Sequence, residues 1–270
     1  MRVVLIPGWN ESGKGMRVFA EGRNGLPGLA AVGYECVSFD GGRGGLNERI
    51  DQLAEFLSGV RANGNSGDPT LLFGYSAGGI IARGLMRSRQ ASEWKIGALF
   101  QLGAPNGGIV TDHVAGLLHR IHFSMDVIED LDLESPFMQW LNGTAGHWET
   151  DSATHEKHWR PNKKPWVTAR DVPILNLIGR VPRYRHLTDG VVFVDLATLG
   201  GHVPHAFVDD PRANHLNLSG SWNPMTLTLR RWFCDDRLWP KAVDAAARFF
   251  SGAGFPAARE AKSSAAIKTS

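Results

Sequence analysis

The feature that most constrains the fold is a short apolar run that ends in a serine turn between two glycines. The run, Thr70 to Phe73, follows a segment rich in Gly, Asn and Asp, as a buried strand commonly does. The turn is Gly74-Tyr75-Ser76-Ala77-Gly78, and an apolar helical pattern follows it. Glycines lack the Cβ that would block an abrupt change from strand to helix, and such a turn exposes its serine hydroxyl at the positive end of the helix. The pattern predicts that Ser76 is a nucleophile; the alternative is a purely structural turn.

Short apolar segments alternate with amphipathic ones over much of the chain, which is typical of a parallel sheet covered by helices. Helical spacing extends from Leu46 to Val60 and again from Lys241 to Phe250, whereas Met16 to Ala31 contains too much Gly and Pro for one uninterrupted helix. Besides the run before Ser76, the predicted strands are Arg2 to Ile6, Tyr34 to Phe39, Ile96 to Leu102 and Val172 to Gly179. The chain is therefore predicted to have an α/β fold.

Composition and charge exclude several classes of protein. Hydrophobic residues make up 43% of the 270 residues and charged residues 21%, as in ordinary globular domains. The net charge of +2 gives no reason to expect nucleic acid or an acidic membrane as a partner. No apolar run approaches the roughly 18 residues of a membrane span. The first apolar segment is too short for a signal peptide, so we expect a cytoplasmic protein, or a secreted one if a leader has been removed.

Cysteine and histidine spacing gives no indication of a metal or cofactor. Cys36 and Cys234 are expected to be buried free thiols, and neither belongs to a Cys-x-x-Cys motif. His155 and His158 would bring two imidazoles close together, but their spacing matches no zinc motif. The loop from Gly8 to Gly15 resembles a phosphate loop only in part, because its lysine is followed by glycine instead of Ser or Thr. We therefore predict no cofactor and no metal.

A serine nucleophile needs a base and an orienting carboxylate, which can follow it in the order Asp, His. Asp189 and His215 match that order. Asp189 lies beside a glycine at the start of an apolar segment, and His215 follows a loop that contains Asp and Pro. Asp195, inside a strand-like apolar run, is the chief alternative acid, and His202 and His205 are alternative bases.

The loops after parallel strands meet at one edge of a sheet, so we expect the site to be built from the loops after Ile6, Tyr75, Leu102 and Ile178. Negative charge that develops on an acyl oxygen needs backbone N–H donors, usually from the residue after the nucleophile and from an earlier loop. Ala77 and Trp9 occupy those two positions. They are predicted to form an oxyanion hole.

These motifs resemble those of the α/β-hydrolase superfamily, and within it the lipases and related carboxylesterases. Four elements carry the resemblance: Pro7-Gly8-Trp9, Gly74 to Gly78, Gly103 to Gly108, and Asp189-Gly190-Val191-Val192 followed by His215. The resemblance implies Ser76 as nucleophile, His215 as base, Asp189 as orienting acid, and the amides of Trp9 and Ala77 as oxyanion hole. It also implies a central, mostly parallel sheet of about six strands flanked by helices, without the family's first two antiparallel strands and with a cap or lid insertion.

The chain departs from the lipase pattern in two loops, where many of those enzymes have His-Gly and Thr-Pro-His. The corresponding residues here are Pro7-Gly8 and Ala104-Pro105-Asn106. These changes leave the predicted triad intact and bear on substrate preference.

We expect residues 1–270 to form a single α/β-hydrolase domain, with residues 111–170 as a cap or lid insertion and residues 257–270 as a flexible tail. The insertion has an apolar stripe that would either cover an acyl pocket or pack as an ordinary helix pair. The stripe consists of Val114, Leu117, Leu118 and Ile121. A polar, Trp-rich loop is expected later in the insertion.

The predicted function is hydrolysis of an apolar carboxylic ester, from a small molecule or a lipid, through an acyl-enzyme on Ser76. An acyltransferase, a thioesterase or an amidase would use the same triad. A hydrolase-fold binding protein that has lost the chemistry is a further alternative. The pattern predicts no particular oligomeric state.

Overall fold

The computed structural model describes residues 1–8, 13–62, 67–88, 91–111, 125–169, 172–180, 192–210, 213 and 238–257. Six strands within these ranges form one sheet, and every neighbouring pair is parallel. In chain order the strands are β1 (Arg2–Ile6), β2 (Glu35–Ser38), β3 (Thr70–Tyr75), β4 (Ile96–Leu102), β5 (Ile174–Arg180) and β6 (His205–Asp209). Their order across the sheet is β6-β5-β4-β3-β1-β2, so β3, which leads to Ser76, lies between β1 and β4.

Helices cover both faces of the sheet. In the described part of the chain they are α1 (Arg17–Glu21), α2 (Leu46–Ala62), α3 (Ala77–Arg87), α4 (Met125–Leu131), α5 (Pro136–Asn142), α6 (Val194–Ala197) and α7 (Trp239–Gly252). Short 3₁₀ turns occur at Leu29–Val32 and Ala91–Trp94. A search of the described helices finds none that is long and apolar enough to cross a membrane.

The two faces of the sheet carry different buried side chains, because side chains alternate along a strand. In β1, Val4 and Ile6 belong to the core that includes α2 and α3, whereas Val3 and Leu5 belong to the core that includes α1 and α7. All four side chains are completely buried. A strand that is buried on both faces appears in the sequence as a continuous apolar run, which is why β1 was predictable.

Most of the predicted elements are confirmed. The predicted strands correspond to β1 to β5, and the three predicted helices correspond to α2, α3 and α7. Residues 16–31 are divided between α1, a tight hairpin and a 3₁₀ turn, as their Gly and Pro content predicted. The sheet of about six strands is confirmed and is parallel throughout the described residues.

The prediction of a polar, Trp-rich loop in the insertion was wrong. Gly146–Thr150 and Lys157–Pro161 form an antiparallel hairpin, which we call the insertion hairpin. Trp159 lies directly opposite Trp148 and is only 1% exposed. The buried indole of Trp159 and its pairing with Trp148 across the strands stabilise this hairpin. The many polar residues of the segment made the hairpin difficult to predict from the sequence.

The segment before the insertion hairpin is helical for local reasons. α5 begins at Pro136, whose fixed φ suits the first helical position. The hydroxyl of Ser135 accepts a hydrogen bond from the N–H of Met138 (3.0 Å) and so caps the helix.

The apolar stripe between Val114 and Ile121 lies outside the described residues, and the boundaries of the domain, the cap and the tail stay predictions.

Cys36 is a free thiol, as expected, and it is half-buried. Burial, assisted by the nearby Glu35 carboxylate, raises the pKa of Cys36 to about 12. The thiol is therefore protonated at neutral pH and is a poor nucleophile. Cys234 lies outside the described residues.

Substitution of a central core residue tests this architecture. Leu72 of β3 is completely buried, so we expect Leu72→Ala to lower the free energy of unfolding by about 2–5 kcal/mol. Leu26 is 39% exposed, and Leu26→Ala should change it by less than about 0.5 kcal/mol. Urea unfolding of both variants measures the difference, and equal effects would contradict the assignment of β3 to the core.

Candidate active site

The turn after β3 holds Ser76 in a backbone conformation that residues other than glycine rarely adopt. Its φ is 51° and its ψ is −124°, outside the helical and strand regions. Such a conformation costs on the order of 1–3 kcal/mol and persists only where the surroundings enforce it. The N–H of Ser76 donates to Leu102 O (2.9 Å), and Ser76 O accepts from the N–H of Gly79 (3.0 Å). Both β4 and α3 therefore hold the turn in place.

Two glycines in the turn are required by close backbone contacts. A Cβ at Gly78 would lie 2.2 Å from Ile6 O and 2.5 Å from Pro7 O, at the end of β1. A Cβ at Gly74 would lie 2.6 Å from both Cα and N of Gly79. Because these obstacles are backbone atoms and not the ends of flexible side chains, the turn packs in this way only with glycine at both positions.

Ser76 is the only residue from Thr70 to Met86 that is not buried. The strand before it and the helix after it both lie in the core, so Ser76 is the point at which this segment reaches the surface. Its side chain makes no capping hydrogen bond to the first turn of α3 within the described residues. The hydroxyl is thus not used to complete the helix.

Ala77 begins α3, and the first N–H groups of a helix have no acceptor within it. The partial positive charge at this end of the helix favours an anion. Ala77 is also completely buried, and hydrogen bonds are electrostatically stronger away from water. Ala77 therefore lies where an oxyanion donor is needed, and its role in such a hole stays a prediction.

The first loop reaches the turn at Ser76 directly. Pro7 and Gly8 follow β1 and are both buried. A Cβ at Gly8 would lie 3.2 Å from the Cβ of Ser76 and 3.0 Å from the ring of Tyr75. The described part of this loop thus approaches Ser76 as predicted. Trp9, the predicted second oxyanion donor, lies outside the described residues.

The loop after β4 is held by buried carboxamides. Asn106 is completely buried, and its Nδ2 donates to Gln101 Oε1 and to Ala197 O (both 2.9 Å). Asn176 of β5 donates to Ala104 O and to Ala197 O (both 3.0 Å). These hydrogen bonds fix the loop and the end of α6 beside the strand that leads to Ser76. Since Asn106 has no exposed surface, its side chain supports this loop and does not face a substrate.

Asp189 and His215, the predicted acid and base, lie outside the described residues. Asp189 follows β5 in the chain, and His215 follows β6. Both strands are parallel to β3, so both strands end at the edge of the sheet where Ser76 lies. The order of the elements suits the predicted triad, whose geometry stays a prediction.

The alternative acid, Asp195, is hydrogen-bonded to the insertion hairpin. Asp195 Oδ2 accepts hydrogen bonds from His158 Nδ1 and from the N–H of Trp159, both at 3.1 Å. The strand-like run that was expected around Asp195 is instead the helix α6. Asp195 therefore anchors the insertion hairpin to α6. In the described part of the chain, no group of three or more His, Cys, Asp or Glu side chains is placed to hold a metal ion.

The alternative bases lie at the other edge of the sheet. His205 is the first residue of β6, and His202 precedes it, whereas Ser76 follows the last residue of β3. In a parallel sheet the beginnings and ends of strands lie at opposite edges. The topology therefore argues against both residues as the base for Ser76.

Sequence reasoning missed the polar groups behind the turn. Arg83 lies on α3 with no exposed surface, and Gln101 and Asn176 are buried within strands. The sequence did contain a signal for them, which was a charged or amide residue inside an otherwise apolar element. Such a residue indicates a buried hydrogen-bond network, because polar groups are buried only where hydrogen bonds satisfy them.

A pair of glycine substitutions tests the turn. Gly78→Ala places a methyl group against Ile6 O and Pro7 O, so it should lower the free energy of unfolding by about 1–3 kcal/mol. Gly59 of α2 is exposed with open space around it, and Gly59→Ala should raise stability by about 0.5–1 kcal/mol. Urea unfolding distinguishes the two signs, and a stabilising Gly78→Ala would show that the turn is not packed as described.

No protein-family model matches the chain, and no curated protein sequence matches it. Solved structures do. The mature form of a lipase from Bacillus licheniformis aligns with a TM-score of 0.56 and 16% identity over 85% of this chain and 90% of that chain. A metagenomic carboxyl esterase aligns with a TM-score of 0.57 and 14% identity over 93% and 75% of the two chains. A gene product of Listeria innocua aligns with a TM-score of 0.54 and 12% identity over 87% and 94%. At these identities the likeness concerns the fold, and together with the parallel sheet and the turn at Ser76 it shows that the chain has the α/β-hydrolase fold.

Proposed function

We propose that the protein is a serine hydrolase that cleaves carboxylic esters with an apolar acyl group. The observation that carries this proposal is the backbone conformation of Ser76, whose φ is 51°. Ser76 joins a buried strand to a buried helix and is the residue of that segment that reaches the surface. Strain of this kind costs free energy, and strained residues cluster at active sites. Two of the solved structures with the same fold are named as a lipase and a carboxyl esterase.

The reaction proceeds through an acyl-enzyme. Ser76 Oγ attacks the ester carbonyl carbon while its proton passes to the imidazole of His215, which Asp189 orients and whose positive charge it stabilises. The C–O bond to the alcohol then breaks, and the departing alkoxide takes that proton from His215. A water molecule then attacks the acyl carbon while His215 takes its proton. The bond between the acyl carbon and Ser76 Oγ breaks, and His215 returns the proton to Oγ, which releases the carboxylic acid and free Ser76.

Each tetrahedral intermediate carries a negative oxygen, which the N–H groups of Ala77 and Trp9 bind. The position of Ala77 at the start of α3 supports this role, because the helix end supplies both a donor and partial positive charge. One such donor typically contributes a factor of about 10²–10³ to kcat. The contact of Gly8 with Ser76 supports a donor from the first loop, since this loop borders the nucleophile.

The insertion, residues 111–170, serves as the cap of this site. A cap that excludes water favours an apolar acyl group and protects the acyl-enzyme until the alcohol has left. Acyl transfer to another alcohol, and cleavage of thioesters or amides, use the same residues. Turnover of matched ester, thioester and amide substrates ranks these reactions, and a clear preference for the amide would replace the ester proposal.

Labelling by a fluorophosphonate probe tests the nucleophile. The probe should modify the wild-type protein at Ser76, and Ser76→Ala should abolish labelling and lower kcat on a nitrophenyl ester by about 10⁴-fold or more. Ser58→Ala, on α2, serves as the matched control, because Ser58 Oγ donates only to Ala54 O in the described structure (3.0 Å). A wild-type protein that is folded and is not labelled would support the non-catalytic binding protein instead.

Two pairs of substitutions test the rest of the triad. Asp189→Asn should lower kcat by about 10³–10⁴-fold, because the imidazole loses its orienting carboxylate. Asp195→Asn should leave kcat close to the wild-type value, since Asp195 is bonded to the insertion hairpin. His215→Ala should abolish turnover, and His205→Ala should not. Loss of activity in Asp195→Asn or His205→Ala, with Asp189→Asn or His215→Ala still active, would reassign the triad.

A further inference from the structure

Arg83 is a buried cation whose hydrogen bonds all go to uncharged oxygens. It lies on α3 with no exposed surface. Its Nε donates to Val167 O (2.8 Å), its Nη1 to Asn106 O (3.1 Å) and Asn106 Oδ1 (3.3 Å), and its Nη2 to Trp166 O (2.7 Å) and Asn142 Oδ1 (3.0 Å). Carbonyl oxygens thus surround the guanidinium on every side.

These acceptors lie at the two ends of the insertion and within it. Asn106 precedes the insertion, which begins at residue 111. Trp166 and Val167 lie just before its end at residue 170, and Asn142 is the last residue of α5 in between. Asn142 O also accepts a hydrogen bond from the N–H of Trp166 (2.7 Å), so the acceptors are linked to one another. A single side chain of α3 therefore gathers both ends of the insertion.

Aromatic contacts extend this attachment. The centre of the Trp166 ring lies 5.6 Å from Arg83 Cζ and 5.0 Å from Arg87 Cζ, so it contacts both cations of α3. The ring of Trp140, on α5, lies 5.9 Å from Arg87 Cζ. Burial, together with the Arg87 charge, lowers the pKa of Arg83 to about 9, so the group is still charged at neutral pH and both cation–ring contacts persist.

We propose that Arg83 is a positioning residue that clamps both ends of the insertion to α3 and thereby sets the preference of the site for long over short acyl chains. This inference rests on the proposed function, in which the insertion covers the acyl group bound at Ser76. Arg83 lies about two helical turns after Ser76, the residue that precedes α3. Because a helix is rigid over this length, Arg83 holds the insertion at a fixed distance from Ser76. Under the proposed function, a long acyl chain extends from Ser76 to the cap, whereas an acetyl group is too short to reach it.

The shape of the guanidinium, more than its charge, is what the clamp needs. Five N–H groups in one plane reach acceptors on three separate segments at once, and a lysine ammonium has three donors and no planar fork. Arg83→Lys keeps the positive charge and loses this geometry. The substitution therefore separates a positioning role from an electrostatic one.

Steady-state hydrolysis by the full chain tests the proposal, with nitrophenyl decanoate and nitrophenyl acetate as substrates. For Arg83→Lys we expect kcat/KM on the decanoate to fall by about tenfold or more, mainly through a higher KM, because the cap no longer aligns the chain. Hydrolysis of the acetate should change little. Circular dichroism first establishes that the variant is folded. In a folded variant, a fall by the same factor on both substrates, or no change on either, would overturn the proposal.

A second variant decides the matter if Arg83→Lys does not fold. Asn142→Ala removes one acceptor from the cap side and should shift the decanoate-to-acetate ratio in the same direction. Gln139→Ala is the control on the same helix. In the described structure the Gln139 side chain donates to Glu134 O (2.9 Å) and not to Arg83 or its partners, so the substitution should leave the ratio unchanged. Fluorophosphonate labelling of each variant at Ser76 distinguishes failure of this proposal from failure of the proposed function. If the variants are labelled and the decanoate-to-acetate ratio is unchanged, only the role of Arg83 is refuted. If the wild-type protein is not labelled, the proposed hydrolase activity is refuted.

Discussion

The rest of the structure depends on one close backbone contact, between the turn after β3 and the end of β1. Gly78 lies so near the carbonyl of Ile6 that a methyl group would not fit between them. This contact brings the first turn of α3 onto the sheet, and the chain can reach it from β3 only if Ser76 takes a positive φ. The same contact brings Gly8 against Ser76. The strain at the serine and the approach of the first loop are therefore two consequences of one piece of packing.

A layer of buried amides supports this contact from behind. Gln101 Nε2 donates to Gly79 O (3.1 Å) and to Asn106 Oδ1 (3.0 Å), and Asn106 and Asn176 both donate to Ala197 O. Buried amide groups are costly unless they are hydrogen-bonded, and a network with many internal partners specifies one arrangement of its segments. Since α6 ends at Ala197, the layer fixes α6 relative to α3.

The fold was largely predictable because its four central strands, β1, β3, β4 and β5, are mostly buried, and continuous apolar runs between Gly and Pro clusters are characteristic of such strands. The outer strand β6 has polar residues at both ends and was not predicted. Ser76 and the two glycines beside it were predictable because a strained turn restricts which residues fit. The insertion hairpin was missed because Trp148 and Trp159 are opposite each other only after the strands pair, and spacing along the chain does not reveal such a pair. Arg83 was missed for a similar reason: its partners, from Asn106 to Val167, come together only in the folded chain.

The choice of uncharged acceptors for Arg83 is consistent with the chemistry proposed at the other end of α3. A carboxylate partner would have neutralised the guanidinium more simply, but it would have placed a buried negative charge about two helical turns from the oxygen on which negative charge develops. Backbone and amide oxygens stabilise the cation through their dipoles and carry no negative charge of their own. The positive charge of Arg83 is therefore not neutralised by any of its described hydrogen-bond partners. The same arrangement that clamps the insertion therefore adds no anion behind the turn. The partial positive charge at the N-terminus of α3 and the buried cation of Arg83 together favour negative charge at the turn.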